Sequence, residues 1–140
     1  MNYLGIDYGE KRIGLSFADE LKVAVPLPAA TQSKIAERLK YIAQVVHDRK
    51  VGEIVIGYPF NMDGTIGFKA KEVDVFIEKL LKVCPLPIHK VDERLTSKSA
   101  EEGLKPAKSI KAKQKQRRSG ELDSKAATLI LSDFLSTEGM

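Results

Sequence analysis

The sequence predicts an α/β fold, a mixed sheet with helices on both of its faces. Three observations carry this. Near the N-terminus, apolar residues alternate with small or polar ones around a glycine-containing turn, which is a hairpin pattern. Further on, two segments repeat apolar residues at helical spacing, and each is followed by a short apolar run of strand length. The resulting order is three strands, then helix, strand, helix, strand, then two helices. Parallel strands need helical crossovers, so this order places antiparallel strands first and parallel strands after them.

Taken in order, Tyr3 to Ile6 and Arg12 to Ala18 form two strands joined by the turn Tyr8-Gly9-Glu10-Lys11, with Ile13, Leu15 and Phe17 alternating with Gly14, Ser16 and Ala18. A third strand is expected around Lys22 to Val25, closed by Pro26 and Pro28, which cannot donate to a ladder. From Ser33 to about Arg49, Ile35, Leu39, Ile42 and Val46 make the apolar stripe of an amphipathic helix. Glu53 to Gly57 reads as a buried strand. After the loop Tyr58 to Gly64, Val73, Ile77 and Leu80 share one face of a second helix that ends before Pro85. Leu86 to Val91 is the last strand. A short helix can start near Thr96 or Ser97, both competent caps, and a final helix runs from about Gly120 to Leu135.

Size and composition bound the function. At 140 residues, with 43% hydrophobic and 30% charged residues, the chain is expected to form one domain, residues 1–140. No apolar run approaches bilayer length, and the first residues lack a secretory pattern, so a cytoplasmic protein with no membrane role is expected. Cys84 is the only cysteine, which excludes an intrachain disulfide and leaves it a packing role beside Pro85. Net charge is +4, a modest excess, but its placement is uneven. Between Glu102 and Glu121 no acid interrupts Lys105, Lys108, Lys111, Lys113, Lys115, Arg117 and Arg118. Such a stretch attracts a polyanion, although a solvated loop would carry the same charges.

Three acids fall at element ends. Asp7 closes the first strand, Glu93 closes the last, and Asp123 opens the final helix. In open α/β sheets the crevice at the carboxyl ends of the strands is the usual site, and neighbouring strands would bring Asp7 and Glu93 together there. Ala126 and Ala127 share a helical face with Asp123, and small side chains on that face let the helix come close to the sheet. Gathered carboxylates repel one another and call for a cation. All-oxygen ligands favour Mg²⁺ or Mn²⁺, which points to phosphodiester cleavage. Taken singly, each acid has a plainer reading as a turn residue, an ion-pair partner or a first-turn charge.

A resemblance covering nearly the whole chain favours the catalytic reading. The motifs are Gly5-Ile6-Asp7-Tyr8-Gly9 with Lys11-Arg12-Ile13-Gly14, Gly57-Tyr58-Pro59 with Met62-Asp63-Gly64-Thr65, Asp92-Glu93-Arg94-Leu95-Thr96, and Asp123 with Ala126-Ala127. In order and spacing they resemble the YqgF family, RuvC-like Holliday junction resolvases also described as pre-16S rRNA nucleases. The resemblance implies an RNase H-like fold with a five-stranded mixed sheet and catalytic, metal-holding acids at Asp7, Glu93 and Asp123. It also implies a divalent-metal nuclease that matures the 5′ end of the small-subunit ribosomal RNA precursor. Tyr58 departs from the family, which has an aliphatic residue before the proline, and the basic segment before Asp123 is extended.

Candidate nucleic-acid contacts follow. Lys11 and Arg12 can neutralise a phosphate beside Asp7, as can Lys111, Lys113, Lys115, Arg117 and Arg118 from the basic segment. Arg94 either fixes the Glu93 carboxylate or touches the scissile phosphate. Gly9 and Gly14 allow a tight turn and close backbone approach beside Asp7. Asp63 and Thr65 are read first as helix caps, and Tyr8 and Phe60 first as packing residues. His47 and His89 lack metal-ligand spacing and are structural.

The expected partner is an rRNA precursor or branched DNA. No apolar seam announces a dimer, so a monomer or weak homodimer is expected. Two other classes compete. The first motif also resembles the phosphate motif of actin-like and sugar-kinase ATPases, which need two such domains. A Holliday junction resolvase, or a non-catalytic ribosome-assembly module that binds through the basic segment, would use the same fold.

Overall fold

Alternation in the first eighteen residues becomes a β-hairpin. Strand β1 (Tyr3–Asp7) pairs antiparallel with β2 (Ile13–Ala18) in a register that sets Gly5 opposite Ser16 and Asp7 opposite Gly14. The structure, a computed structural model, describes residues 1–59, 67–92 and 121–138, without the side chains of residues 68, 121–123 and 138. The short helix expected near Thr96 lies outside the described residues.

Strand β3 is Val25–Ala30, so it begins where the sequence had placed its end. The reason is local. Asp19 makes the turn through its carboxylate, which accepts from the Leu21 amide at 2.9 Å, while its carbonyl accepts from the Lys22 amide at 3.0 Å. Lys22 takes a φ of 59°, outside any strand conformation. Pro26 and Pro28 fit inside β3 because it is an edge strand, bonded to β2 alone. Its register also slips: the two steps from Ile13 to Leu15 on β2 face the three from Ala30 to Leu27 on β3, a bulge around Pro28.

Helix α1 (Ile35–Asp48) and helix α2 (Phe68–Val83) link β3 to β4 (Glu53–Tyr58) and β4 to β5 (Ile88–Asp92). The sheet order is β3-β2-β1-β4-β5, with β1, β4 and β5 parallel. The final helix, α3, is Glu121–Glu138.

Strand alternation divides the core in two. Leu4, Ile6, Ile13, Leu15, Ile54 and Ile56 pack with Leu39 and Ile42 of α1 and Val73, Phe76 and Leu80 of α2. On the opposite face, Tyr3, Ala18 and Val55 pack with Ile130, Leu131 and Leu135 of α3, which lies chiefly over β2 and β1. Each fully buried aliphatic side chain contributes about 1.5–3 kcal/mol, so apolar burial decides that α3 sits on this face. Polar contacts of about 1 kcal/mol each decide where along the face it stops.

Tyr58 ties β4 to α2. Its ring is buried, its hydroxyl donates to Asp74 Oδ2 of α2 at 2.9 Å, and the Lys90 ammonium lies 4.3 Å from the ring centre and 3.1 Å from Asp74 Oδ1. Burial first, then the hydrogen bond to Asp74 and its charge, raise this phenol above its ordinary 10.0. A group raised in the folded state gives stability that is full below pH ~10 and lost as pH climbs through the raised value. Tyr58→Phe is therefore expected to cost about 1 kcal/mol at neutral pH. It should also weaken the alkaline loss of stability, as measured by urea unfolding on either side of pH ~10.

Candidate active site

Asp7 is the last residue of β1, half-buried. Leu4 and Ile6 face α1 and α2, so alternation turns Asp7, with Tyr3 and Gly5, towards the face that α3 covers. Its partner on β2 is Gly14, and on β4 the residue after Ile56, the partner of Ile6, is Gly57. Both lateral neighbours on this face thus lack side chains. Neither strand neighbour therefore puts a side chain against the carboxylate.

The helix that carries position 123 is held against this same face by three contacts in its first two turns. Ser124, fully buried, donates to the Leu27 carbonyl at 2.5 Å and accepts from the Leu15 amide at 3.3 Å. Leu15 and Leu27 are the register pair beside the bulge, so the hydroxyl bridges two backbone groups at the point where the ladder is interrupted. One turn on, Ser16 Oγ donates to the Ala127 carbonyl at 2.7 Å. Beneath them, Gly5 has no side chain. A Cβ there would meet Ser16 Oγ, and would lie 2.8 Å from Leu131 Cβ and 2.9 Å from the Ala127 carbonyl. The close approach expected from the alanines is real at Ala127, which is fully buried, while Ala126 is half-buried.

The turn after Asp7 is tied down from α1. Arg38, 7% exposed, donates through one guanidinium nitrogen to the Glu10 carbonyl at 3.1 Å and through another to the Gln32 carbonyl at 2.5 Å. Arg38 is marked in the sequence by its position alone. It stands four residues before Ile42, inside the apolar stripe where a solvated charge does not belong. Gly9 meets its expectation, since a Cβ on it would lie 2.5 Å from the Arg12 carbonyl. Lys11 and Arg12 are exposed at the hairpin tip beside Asp7. The Tyr8 ring packs on Phe76, centroids 4.8 Å apart, and burial, followed by the charge of Glu72, raises its phenol.

Asp7 and the end of β5 share the carboxyl edge of the parallel strands, but they do not sit on neighbouring strands. β4 lies between them, because successive crossovers add β4 beside β1 and β5 beside β4. At about 4.8 Å per strand the gap is roughly 10 Å. Asp92, which closes β5, pairs with Tyr58 and so belongs to the α2 side of the sheet, away from Asp7. Glu93, Arg94, Phe60, Asp63, Thr65, Lys111, Lys113, Lys115, Arg117 and Arg118 lie outside the described residues, as does the Asp123 side chain. Among the described residues no three His, Cys, Asp or Glu side chains come together.

Of the remaining singled-out residues, His89 and Cys84 are packed into the fold. His47 is exposed near the end of α1. The ring of His89 stacks on Phe134 at 4.8 Å, and its Nε2 lies 3.6 Å from Glu53 Oε1. Cys84 is buried in the larger core cluster, and burial pushes its thiol up. No helix among the described residues is long and apolar enough to cross a membrane.

Comparison with known proteins places this architecture. The model of one family, described as "RuvX: Holliday junction resolvase", matches residues 1–137. A protein of Opitutus terrae named "Putative pre-16S rRNA nuclease" is 45% identical over 136 residues, which is 96% of this chain and 91% of the relative. One of Crocosphaera subtropica with the same name is 40% identical over 133 residues, 94% of this chain and 90% of its own. Among solved structures, T. thermophilus RuvC in complex with a Holliday junction substrate superposes with a TM-score of 0.58 at 19% identity. That match covers 99% of this chain and 96% of the RuvC chain, and it shows that the two share a fold.

Proposed function

As a member of the RuvX family of Holliday junction resolvases, to which this chain belongs, we propose that the protein is a divalent-metal-dependent nuclease, a single domain processing the 5′ end of pre-16S rRNA in the cytoplasm. The observation that carries this reading is the placement of Asp7. It stands at the carboxyl edge of β1, between two glycines, on the face to which the Asp123-bearing end of α3 is fastened. The name borne by relatives of 45% and 40% identity supports the RNA substrate over the junction.

Asp7, Glu93 and Asp123 would hold the metal. Their all-oxygen donor set suits Mg²⁺ or Mn²⁺, and the strand neighbours of Asp7 on its face, Gly14 and Gly57, carry no side chain that would compete with an ion. The orientation of Asp92 towards α2 favours Glu93 as the acid contributed after β5. When bound, such ions would supply charge to activate a water and to stabilise the leaving oxygen of a phosphodiester. The carboxylates would orient the ions, and the buried contacts of Ser124 and Ala127 hold the helix that carries Asp123. Lys11 and Arg12, with Arg94 and the basic residues Lys111, Lys113, Lys115, Arg117 and Arg118, hold the phosphates.

The double variant Lys11→Ala with Arg12→Ala is expected to raise KM with little change in kcat. It should also reduce the slope of log affinity against log salt by about 1 per residue, measured by fluorescence titration of labelled RNA. The proposal itself is tested by incubating the purified protein and Mn²⁺ with a structured pre-16S rRNA fragment and, in parallel, a four-way DNA junction. Cleavage of the RNA that stops on chelation is the expected result. Cutting of the junction alone would replace the substrate class, and cutting of neither would leave a non-catalytic binding module.

A further inference from the structure

We infer that Ser124 is a positioning residue for the metal centre. By filling the β2–β3 bulge with its hydroxyl, it fixes the height and rotation of the first turn of α3 and so where position 123 stands. This rests on the reading of Asp123 as a metal ligand.

Three features make Ser124 more than a packing residue. It is a fully buried polar side chain in the first turn of a helix that begins at Glu121, too far inside to cap that helix. Here the hydroxyl is used across the fold instead. It accepts from the Leu15 amide and donates to the Leu27 carbonyl, on two different strands, more than ninety residues away in sequence. Those two groups are available because the bulge around Pro28 interrupts the ladder, so bulge and serine are complementary parts of one device. Finally, the side chain is adjacent in sequence to Asp123, at the end of the helix nearest the proposed site. The apolar contacts of Ile130, Leu131 and Leu135 lie further along and tolerate small sliding. A hydroxyl bonded to two fixed backbone groups does not.

Prolines in an edge strand therefore have a second consequence. Pro28 cannot donate, the ladder shifts there, and the shift creates the socket that receives α3. In the sequence alone, Pro26 and Pro28 mark the end of a strand and Ser124 carries no signal of its own. Nothing in a single sequence ties residue 27 to residue 124.

The test is Mn²⁺ affinity by calorimetry for the wild-type chain, Ser124→Ala and Leu135→Ala. Leu135→Ala lowers stability from the far end of the same helix. Ser124→Ala is expected to raise the Mn²⁺ dissociation constant about 10- to 100-fold, as loss of an outer-shell partner does, while Leu135→Ala leaves it near wild type. A second measurement needs no variant. If the socket and the metal are coupled, coupling is reciprocal, and saturating Mg²⁺ should slow hydrogen exchange at the Leu15 amide more than at amides near the carboxyl end of α3. Wild-type affinity in Ser124→Ala, or no selective protection of Leu15, overturns the inference. Absence of Mn²⁺ binding in the wild type instead overturns the metal-site reading on which it stands.

Discussion

Asp7→Asn is expected to abolish cleavage while leaving the chain folded. Asparagine keeps the size of the side chain at the carboxyl edge of β1, where the neighbours on its face are Gly14 and Gly57, so nothing is crowded or emptied. What is lost is the charge that would bridge the metal ions. Outer-shell partners of a metal typically account for 10- to 100-fold in affinity or activity, so loss of a direct ligand should exceed that range. Stability is expected to stay within about 1 kcal/mol of wild type. Single-turnover cleavage and urea unfolding of the same preparation check both halves. A folded Asp7→Asn chain with full activity would remove Asp7 from the chemistry.

The second large effect is structural. Gly5→Ala is expected to destabilise the protein by about 3 kcal/mol or more, the upper end for an overpacked core. The new methyl would meet Ser16 Oγ, the Ala127 carbonyl at 2.9 Å and Leu131 Cβ at 2.8 Å. Ser16 can rotate only by giving up its bond to Ala127, and the carbonyl belongs to helix backbone and cannot turn aside. The helix must lift as a body and take position 123 with it. A displacement of about 1 Å at a reacting centre can cost roughly 100-fold in rate, so activity should fall by that order even where the variant stays folded. Denaturant unfolding and cleavage rates decide the matter. A stability change below about 0.5 kcal/mol would mean that the gap between β1 and α3 is less rigid than the contacts imply.

How much of this was legible in the sequence differs by element. Ile13, Leu15 and Phe17 gave β2, and Ile35, Leu39, Ile42 and Val46 gave α1, because period-2 and period-3.6 patterns are local and survive folding unchanged. Boundaries set by turns were harder. β3 was displaced because Lys22 adopts a positive φ that a lysine does not advertise, and because prolines that usually end a strand sit within this edge strand. Asp7 could be placed at the end of β1 from alternation alone. That it shares its face with α3 follows from the same alternation once the sheet order is known, and sheet order is a long-range property. β4 standing between β1 and β5 could not be read from the residues that form those strands. Arg38 and Ser124 are the residues that the sequence marked least and the fold uses most. Each satisfies backbone groups outside its own helix, and the identity of those partners becomes visible only in three dimensions.

In the proposed centre, Asp7 and the amino end of α3 share a metal. Mn²⁺ broadens the NMR signals of nearby amides, so titration into ¹⁵N-labelled protein maps the site directly. The predicted result is broadening at Ile6 and Asp7, at Gly14 and Gly57, and at Ser124 to Ala127, all of it absent in Asp7→Asn. Broadening that spares these positions, or that persists unchanged in Asp7→Asn, would contradict a carboxylate metal centre at this edge of the sheet.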